Sequence, residues 1–194
     1  GNNDKNKNAR NSFDLESVRK LLLNSRVDMF HSRGHINPNI TVRYFSVGYL
    51  RTRRTTATIS TDAAAQFEAI DRGDHGPWAG ANISLFGGII KVGASMIYLN
   101  REELNVMANK DQVYTVNSND YKKGSAWIST VGGRFTLPNE WLPSVSAVVH
   151  NAAHSAFHNI GGAGEPTPVP QTIDAAVSME PRFGNLTRFH MEVN

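Results

Sequence analysis

Gly80-Ala81-Asn82-Ile83-Ser84-Leu85-Phe86-Gly87-Gly88-Ile89-Ile90-Lys91-Val92-Gly93-Ala94-Ser95-Met96-Ile97-Tyr98 alternates in polarity on both sides of a paired glycine. Before the glycines, Ala81, Ile83 and Leu85 oppose Gly80, Asn82 and Ser84. After them, Ile90, Val92, Ala94, Met96 and Tyr98 oppose Lys91, Gly93, Ser95 and Ile97. A period of two marks strands whose two faces differ in chemistry. Gly87-Gly88 suits a tight hairpin, because both central positions of a type I′ turn need positive φ. The stretch therefore predicts two antiparallel strands with one apolar and one polar face.

The same alternation recurs outward in both directions. Phe45, Val47 and Tyr49 share one parity. Thr55, Ala57 and Ile59 share another run, as do Trp127, Val131, Phe135 and Leu137, then Val145, Ala147 and Val149. Ile173, Ala175, Val177 and Met179 follow, then Phe189, Met191 and Val193. These runs predict about eight strands of roughly 8–13 residues, close to the span of a tilted membrane strand. The expected short links are Tyr49 to Arg53, Gly87-Gly88, Pro138 to Pro143 and Gly184-Asn185. The expected long ones are Thr61 to Gly76, Asn100 to Lys123 and His154 to Gln171, with Gly161 to Pro170 read as an exposed loop from its Gly and Pro content. Alternating short and long links are how outer-membrane barrels are strung, with short turns facing the periplasm and longer loops facing outside.

The N-terminal part reads differently. Residues 1–11 form an Asn- and Lys-rich polar tail, expected to be disordered. Residues 12–38 are expected to hold a helix and a lead-in segment: Leu15, Val18 and Leu22 follow the helical period, with Ser12 or Asp14 as cap. A short strand over Val27 to Phe30 is a weaker expectation. Residues 39–194 would supply the barrel strands.

The chain has 194 residues, 40% hydrophobic and 19% charged, enough for one domain or one barrel. It holds no apolar run of the ~18 residues that a spanning helix needs. With no cysteine, disulfide scaffolds and thiolate metal sites are excluded. The net charge is +3 and the pI about 9.3, but the basic residues are scattered, so no nucleic-acid partner is expected. Arg51, Arg53 and Arg54 form the one tight basic cluster, expected at a solvated hairpin, with a phosphate or lipid-headgroup contact as the alternative.

One physical reading of the alternation is a membrane barrel whose apolar face meets lipid. There a charge costs about 2–4 kcal/mol at the midplane, and the predicted strand centres carry almost none. Tyr49, Tyr98, Trp127, Phe135, Trp141 and Phe183 fall near segment ends, as interfacial girdles do. The other reading is a soluble antiparallel sheet with one buried face, among which a lipocalin-like domain binds an apolar ligand inside. The polar face carries Arg43, Lys91, Arg134 and Arg188 together with Asp174, Glu180 and Glu192. In a barrel these would line the lumen and set its selectivity.

Trp78 to Ser95, Phe135-Thr136-Leu137-Pro138 with Leu142 to Asn151, and Pro170 to Ser178 carry a family likeness. A strand ending in His-Asn, a loop, and then Pro-Gln-Thr-Ile-Asp resembles bacterial outer-membrane proteins of the long-chain fatty-acid transporter superfamily. The likeness covers about Asn39 to Asn194, through strand patterns without catalytic signatures. It implies an all-β fold: an antiparallel up-and-down transmembrane β-barrel, or a large part of one, with a short N-terminal helix. It also implies a bacterial outer-membrane location and no enzymatic activity. The function it implies is passive transport or binding of small hydrophobic solutes, with Leu15, Val18 and Leu22 obstructing the lumen. Barrels of that superfamily have more strands than eight, so the expectation is either a part of a larger barrel, completed by a second chain or segment, or an eight-strand closure with its interior filled by side chains. The expected partners are outer-membrane lipid, a hydrophobic small molecule and that completing strand set; no cofactor is expected. The alternative from another class is an assembly barrel that binds a protein partner through its long loops, Asn100 to Lys123 foremost.

His150, His154 and His158 are spaced four apart and form a weak candidate metal set. A metal site needs nitrogens converging to about 2 Å from one ion, and polar residues at a strand end explain the spacing as well. Asp174 and Glu180 are too far apart along a strand for joint acid–base work.

Overall fold

The computed structural model describes residues 15–25, 29–59, 66–109, 111, 115–180, 182–183, 187–188 and 191–193. The tail, the cap residues Ser12 and Asp14, and the Gly184-Asn185 turn lie outside them. A helix, α1 (Leu15–Ser25), precedes β1 (Met29–Ile36), β2 (Asn39–Val42), β3 (Phe45–Ile59), β4 (Gln66–Leu85) and β5 (Ile90–Asn109). Then come β6 (Lys122–Thr136), β7 (Ser144–His150), β8 (His158–Gly162), β9 (Thr172–Met179), β10 (Arg182–Phe183), β11 (Thr187–Arg188) and β12 (Met191–Val193).

The architecture is all-β and antiparallel: a curled half-barrel sheet with a short N-terminal helix. Strand order is β1-β3-β4-β5-β6-β7-β9-β12, with β2 continuing the β1 edge along β3 and β8 pairing with β6 beyond β7. β10 and β11 pair with each other. Among the described residues, the outer edges of β1, β2 and β12 have no strand partner.

A hairpin forms at Gly87-Gly88, but through the four residues 86–89 and not a two-residue type I′ turn. Leu85 pairs with Ile90, and Phe86, Gly87 and Gly88 turn the chain with φ of 51°, 68° and 99°, a region glycine occupies without steric cost. Other boundaries differ from expectation. Tyr49 to Arg53 is no link: β3 runs unbroken through it, so Arg51, Arg53 and Arg54 lie mid-strand and not at a hairpin. Much of the expected Thr61–Gly76 link is strand β4, and much of Asn100–Lys123 is strand β5. The sheet also begins earlier than Asn39, because Met29 to Ile36 pairs with Arg51 to Thr58. Charged and glycine residues break the simple alternation in these stretches, yet backbone pairing with long neighbours carries the strands through.

The sheet thus has a hairpin end, with connections 43–44, 86–89 and 137–143, and a loop end, with connections 60–65, 110–121 and 151–171. α1 docks at the loop end. Val18 and Leu22, four apart and so on one helix face, are buried with Ala57, Phe67, Ala69, Leu104, Val106 and Tyr121. Burying two such side chains stabilises by about 1.5–3 kcal/mol each. Glu16 in the first turn suits the helix dipole and holds the Arg19 guanidinium.

This docking places Val18 and Leu22, two of the residues expected to obstruct a lumen, on one face of the sheet. On β5, Leu104 and Val106 have the parity opposite to Lys91, and register is constant along the strand. Val18 and Leu22 therefore sit on the face away from Lys91 and Arg134. They do not obstruct the polar side. Leu15 opens the same helix.

Candidate functional site

Register divides the sheet into two faces. On the apolar face of the hairpin half stand Phe45, Val47, Ile83, Val92, Val131 and Phe135, all exposed. Val145, Ile173 and Val177 continue it across β7 and β9. No charged residue falls on this face between the hairpin end and Tyr98. A row then crosses the strands. Tyr49 stands opposite Pro77, and Tyr98 opposite Trp127, with the rings of that second pair 5.0 Å apart. Trp127 is 58% exposed despite its size. From Ile90 to Tyr98 the bare face is nine residues deep, within the span of a membrane strand.

Beyond the row the same face turns polar and then buried. Arg51, His75 and Asn100 come first, then Arg53, Glu102 and Lys123. Bonded to Tyr121 of the cluster that receives α1 lies Asp71, 1% exposed. Its carboxylate accepts from Arg53 Nε at 3.1 Å, Thr55 Oγ1 at 2.7 Å and Tyr121 OH at 2.9 Å. The bond to Asp71 raises the basicity of Arg53. Burial, and then the adjacent Asp71, hold the Tyr121 phenol protonated well above its ordinary range. All these groups are satisfied by each other, which makes the cluster a fastening for the loop end. A cleft of about 320 Å³ opens beside it, between His75, Arg51 and Glu102.

The polar face of the hairpin half holds a groove of about 490 Å³. Ser46, Trp78, Ser95, Thr130 and Ser146 line it, with Lys91 directly opposite Arg134. Arg134 reaches Glu180 at 3.8 Å; Lys91 has no ion-pair partner among the described residues. Asp174 pairs with His150 at 3.1 Å on the same face. Of the residues expected to line a lumen, Lys91, Arg134, Asp174 and Glu180 thus share one neighbourhood. Arg43 does not join them: it sits at the tip between β2 and β3, its guanidinium over the Tyr44 ring. Glu192 takes the register position opposite Ser178, and Arg188 pairs along the backbone with Arg182. Among the described residues, no group of three or more His, Asp or Glu is placed to hold a metal ion, so His150, His154 and His158 do not converge.

Toward the loop end the polar face is covered by the connection from Asn151 to Gln171. Of Gly161 to Pro170, expected as an exposed loop, most residues are exposed, while Gly161 and Gly162 belong to β8 and Pro166 is buried. Phe157, 4% exposed, packs with Leu99, Ala126 and Ile128. Glu103 accepts from the Thr167 amide at 3.0 Å and hydroxyl at 2.8 Å, while Arg101 donates to the Thr167 carbonyl at 2.8 Å. Arg101 is itself held by Asp74. Asn151, buried, donates to the Val169 carbonyl and accepts from the Ser155 amide. Gly124 is required beneath this strap, since a Cβ there would lie 2.7 Å from Pro166. Burial alone would raise the Glu103 carboxyl; the two Thr167 bonds, together with Arg72, outweigh it and hold the group below its ordinary range. Sequence reasoning missed this strap because its Gly and Pro residues outvoted Phe157 and Val169. It also missed that β5 continues to Asn109, so that the connection proper spans residues 110–121.

No family model, curated protein or solved structure matches the chain.

Proposed function

We propose that this chain forms part of the wall of a bacterial outer-membrane β-barrel, non-enzymatic, whose polar face serves passive passage or binding of small solutes. One observation carries the reading: a charge-free, exposed apolar face nine residues deep, closed on one side by Tyr49, Tyr98 and Trp127. Water-soluble monomers rarely expose contiguous apolar patches beyond a few hundred Å², whereas a barrel presents such a band to lipid between aromatic girdles. The groove on the reverse side supports the solute role. Its hydroxyls, Lys91 and Arg134 offer hydrogen bonds and positive charge to an acidic or polar group, beside the apolar ring of Trp78. The likeness to long-chain fatty-acid transporters enters here as the source of the expectation that the solute is hydrophobic; a hydrophobic solute with an acidic head suits both features.

The open edges belong to the same proposal. In lipid, each unpaired backbone N–H or C=O costs several kcal/mol, so further strands from a second chain or segment complete the wall. The short connections at the hairpin end favour its placement on the periplasmic side, with α1 and the strap on the outer side.

Refolding the chain with and without detergent micelles, then comparing electrophoretic mobility boiled and unboiled, tests the membrane part. A compact unboiled band that requires detergent is the expected result. A compact monomer in plain buffer would replace the proposal with a soluble ligand-binding sheet. Planar-bilayer recording then tests passage: neither conductance nor solute binding would remove the transport role while leaving the membrane role standing.

A further inference from the structure

Three arginines stand in one cross-strand row on the polar face at the loop end. Arg33 is directly opposite Arg54, and Arg54 directly opposite Arg72. Adjacent strands lie about 4.8 Å apart, and like charges directly opposite one another destabilise a sheet. A fold that sets three in register normally offsets them with carboxylates, and here one carboxylate serves the row. Glu103, opposite Arg72, is ion-paired with its Nη2 at 3.4 Å and also accepts from Thr167, which leaves the charges of Arg33 and Arg54 without an offset. Asp74 is bonded to Arg101. Glu68 lies four residues along β4 from Arg72, about 13 Å at strand rise.

Among the described residues, Arg33 and Arg54 have no hydrogen-bonded or charged side-chain partner, and both are exposed. The Nε of Arg72 is buried without a hydrogen-bond acceptor. His31 and His35 flank the row on β1. Guanidinium groups present rigid donor forks that match phosphate oxygens in pairs. One orthophosphate bridges two neighbouring strands; three guanidinium groups spread over about 10 Å call for linked phosphates.

We propose that Arg33, Arg54 and Arg72 form a binding site for a soluble, multiply charged phosphate-bearing anion of di- or triphosphate size. A lipid headgroup is the wrong source. The row faces away from the bare apolar face and lies five residues past the aromatic row along β3, Tyr49 to Arg54. The site rests on the register of β1, β3 and β4 alone and does not depend on the membrane reading.

The test is calorimetric titration of tripolyphosphate into the full chain, in micelles or in whichever buffer keeps it folded. Arg33→Gln, Arg54→Gln and, at the tip between β2 and β3, Arg43→Gln are compared with the parent. The expected result is saturable binding, weakened about tenfold or more by Arg54→Gln and by Arg33→Gln, and unchanged by Arg43→Gln. Because the arginines repel each other, Arg54→Gln is also expected to raise the melting temperature without ligand and to remove the rise that tripolyphosphate gives the parent. Adding phosphatidylglycerol to the micelles should not compete. Absence of saturable binding, equal weakening by Arg43→Gln, affinity unchanged in both Arg33→Gln and Arg54→Gln, or a lower ligand-free melting temperature in Arg54→Gln would each overturn the site. Competition by the lipid would overturn the assignment to a soluble anion.

Discussion

The two halves of β3 to β6 carry the same alternation but meet different surroundings. In the hairpin half, the odd residues of β3 and even residues of β5 are apolar, uncharged and bare. In the loop half, the same parity passes Arg51 and Arg53, enters the Asp71 cluster and ends beneath α1. The polar face reverses the arrangement: open as a groove near Lys91 and Arg134, covered by the strap near Arg101 and Glu103. Alternation therefore reports only that the two faces differ. What covers each face is decided by elements far away in sequence.

The largest effect expected from testing this contrast is in the loop half. Asp71→Ala leaves the buried Tyr121 and Thr55 hydroxyls without their acceptor, at about 1–3 kcal/mol each, besides the lost Arg53 pair. Denaturant unfolding should show the loss, and α1 should become accessible to protease. A loss below about 1 kcal/mol would mean that the cluster does not fasten that half. Next comes the bare face. Ala94→Arg should cost about 2–4 kcal/mol in a bilayer, while Ser95→Arg, one residue on and facing the groove, should cost little. Equal effects at both positions would erase the distinction between faces.

The strap is expected to depend on pH. The Glu103 carboxyl is held below its ordinary range. Its stabilisation is complete above the unfolded-state value of about 4.3 and is lost as pH falls through the lower folded-state value. Cleavage near Gly161 to Gly164 should rise in that acid window. Glu103→Gln should cost about 1.5–3 kcal/mol at neutral pH and flatten the acid response; a variant that kept the parent's pH profile would assign the loosening to another group. The smallest effect expected is at Ser144, whose buried hydroxyl is 2.6 Å from that of Ser178. Ser144→Ala should cost about 1 kcal/mol by thermal unfolding, with the groove unchanged.

The hairpin half was legible in sequence because little there interrupts the period of two: Ala81, Ile83, Leu85, Ile90, Val92, Ala94, Met96 and Tyr98 share one face in the structure, while Ile97 falls on the other. The loop half was not. Tyr49 to Arg53 and Thr61 to Gly76 read as links because charges, glycine and proline lower strand propensity, yet Tyr49 to Arg53 and Gln66 to Gly76 are each paired to neighbouring strands. α1 was legible as a helix from Leu15, Val18 and Leu22, but its side of the sheet was not, since helical period says nothing about which face receives it. Lys91 and Arg134 were legible as a polar-face pair. The strap was not, because Phe157 and Thr167 find their partners more than thirty residues back, on Leu99, Ala126 and Glu103.

The claim on which the membrane reading turns is that the bare face meets lipid. The chain has no cysteine, so single cysteines at Val92, Gly93, Ala94, Ser95 and Met96 can each carry a spin label in a vesicle-reconstituted chain. Accessibility to oxygen, which concentrates in lipid, would be compared with accessibility to a water-soluble nickel chelate. The account predicts strict alternation, with Val92, Ala94 and Met96 oxygen-accessible and Gly93 and Ser95 open to the chelate. Chelate access at all five positions would contradict it.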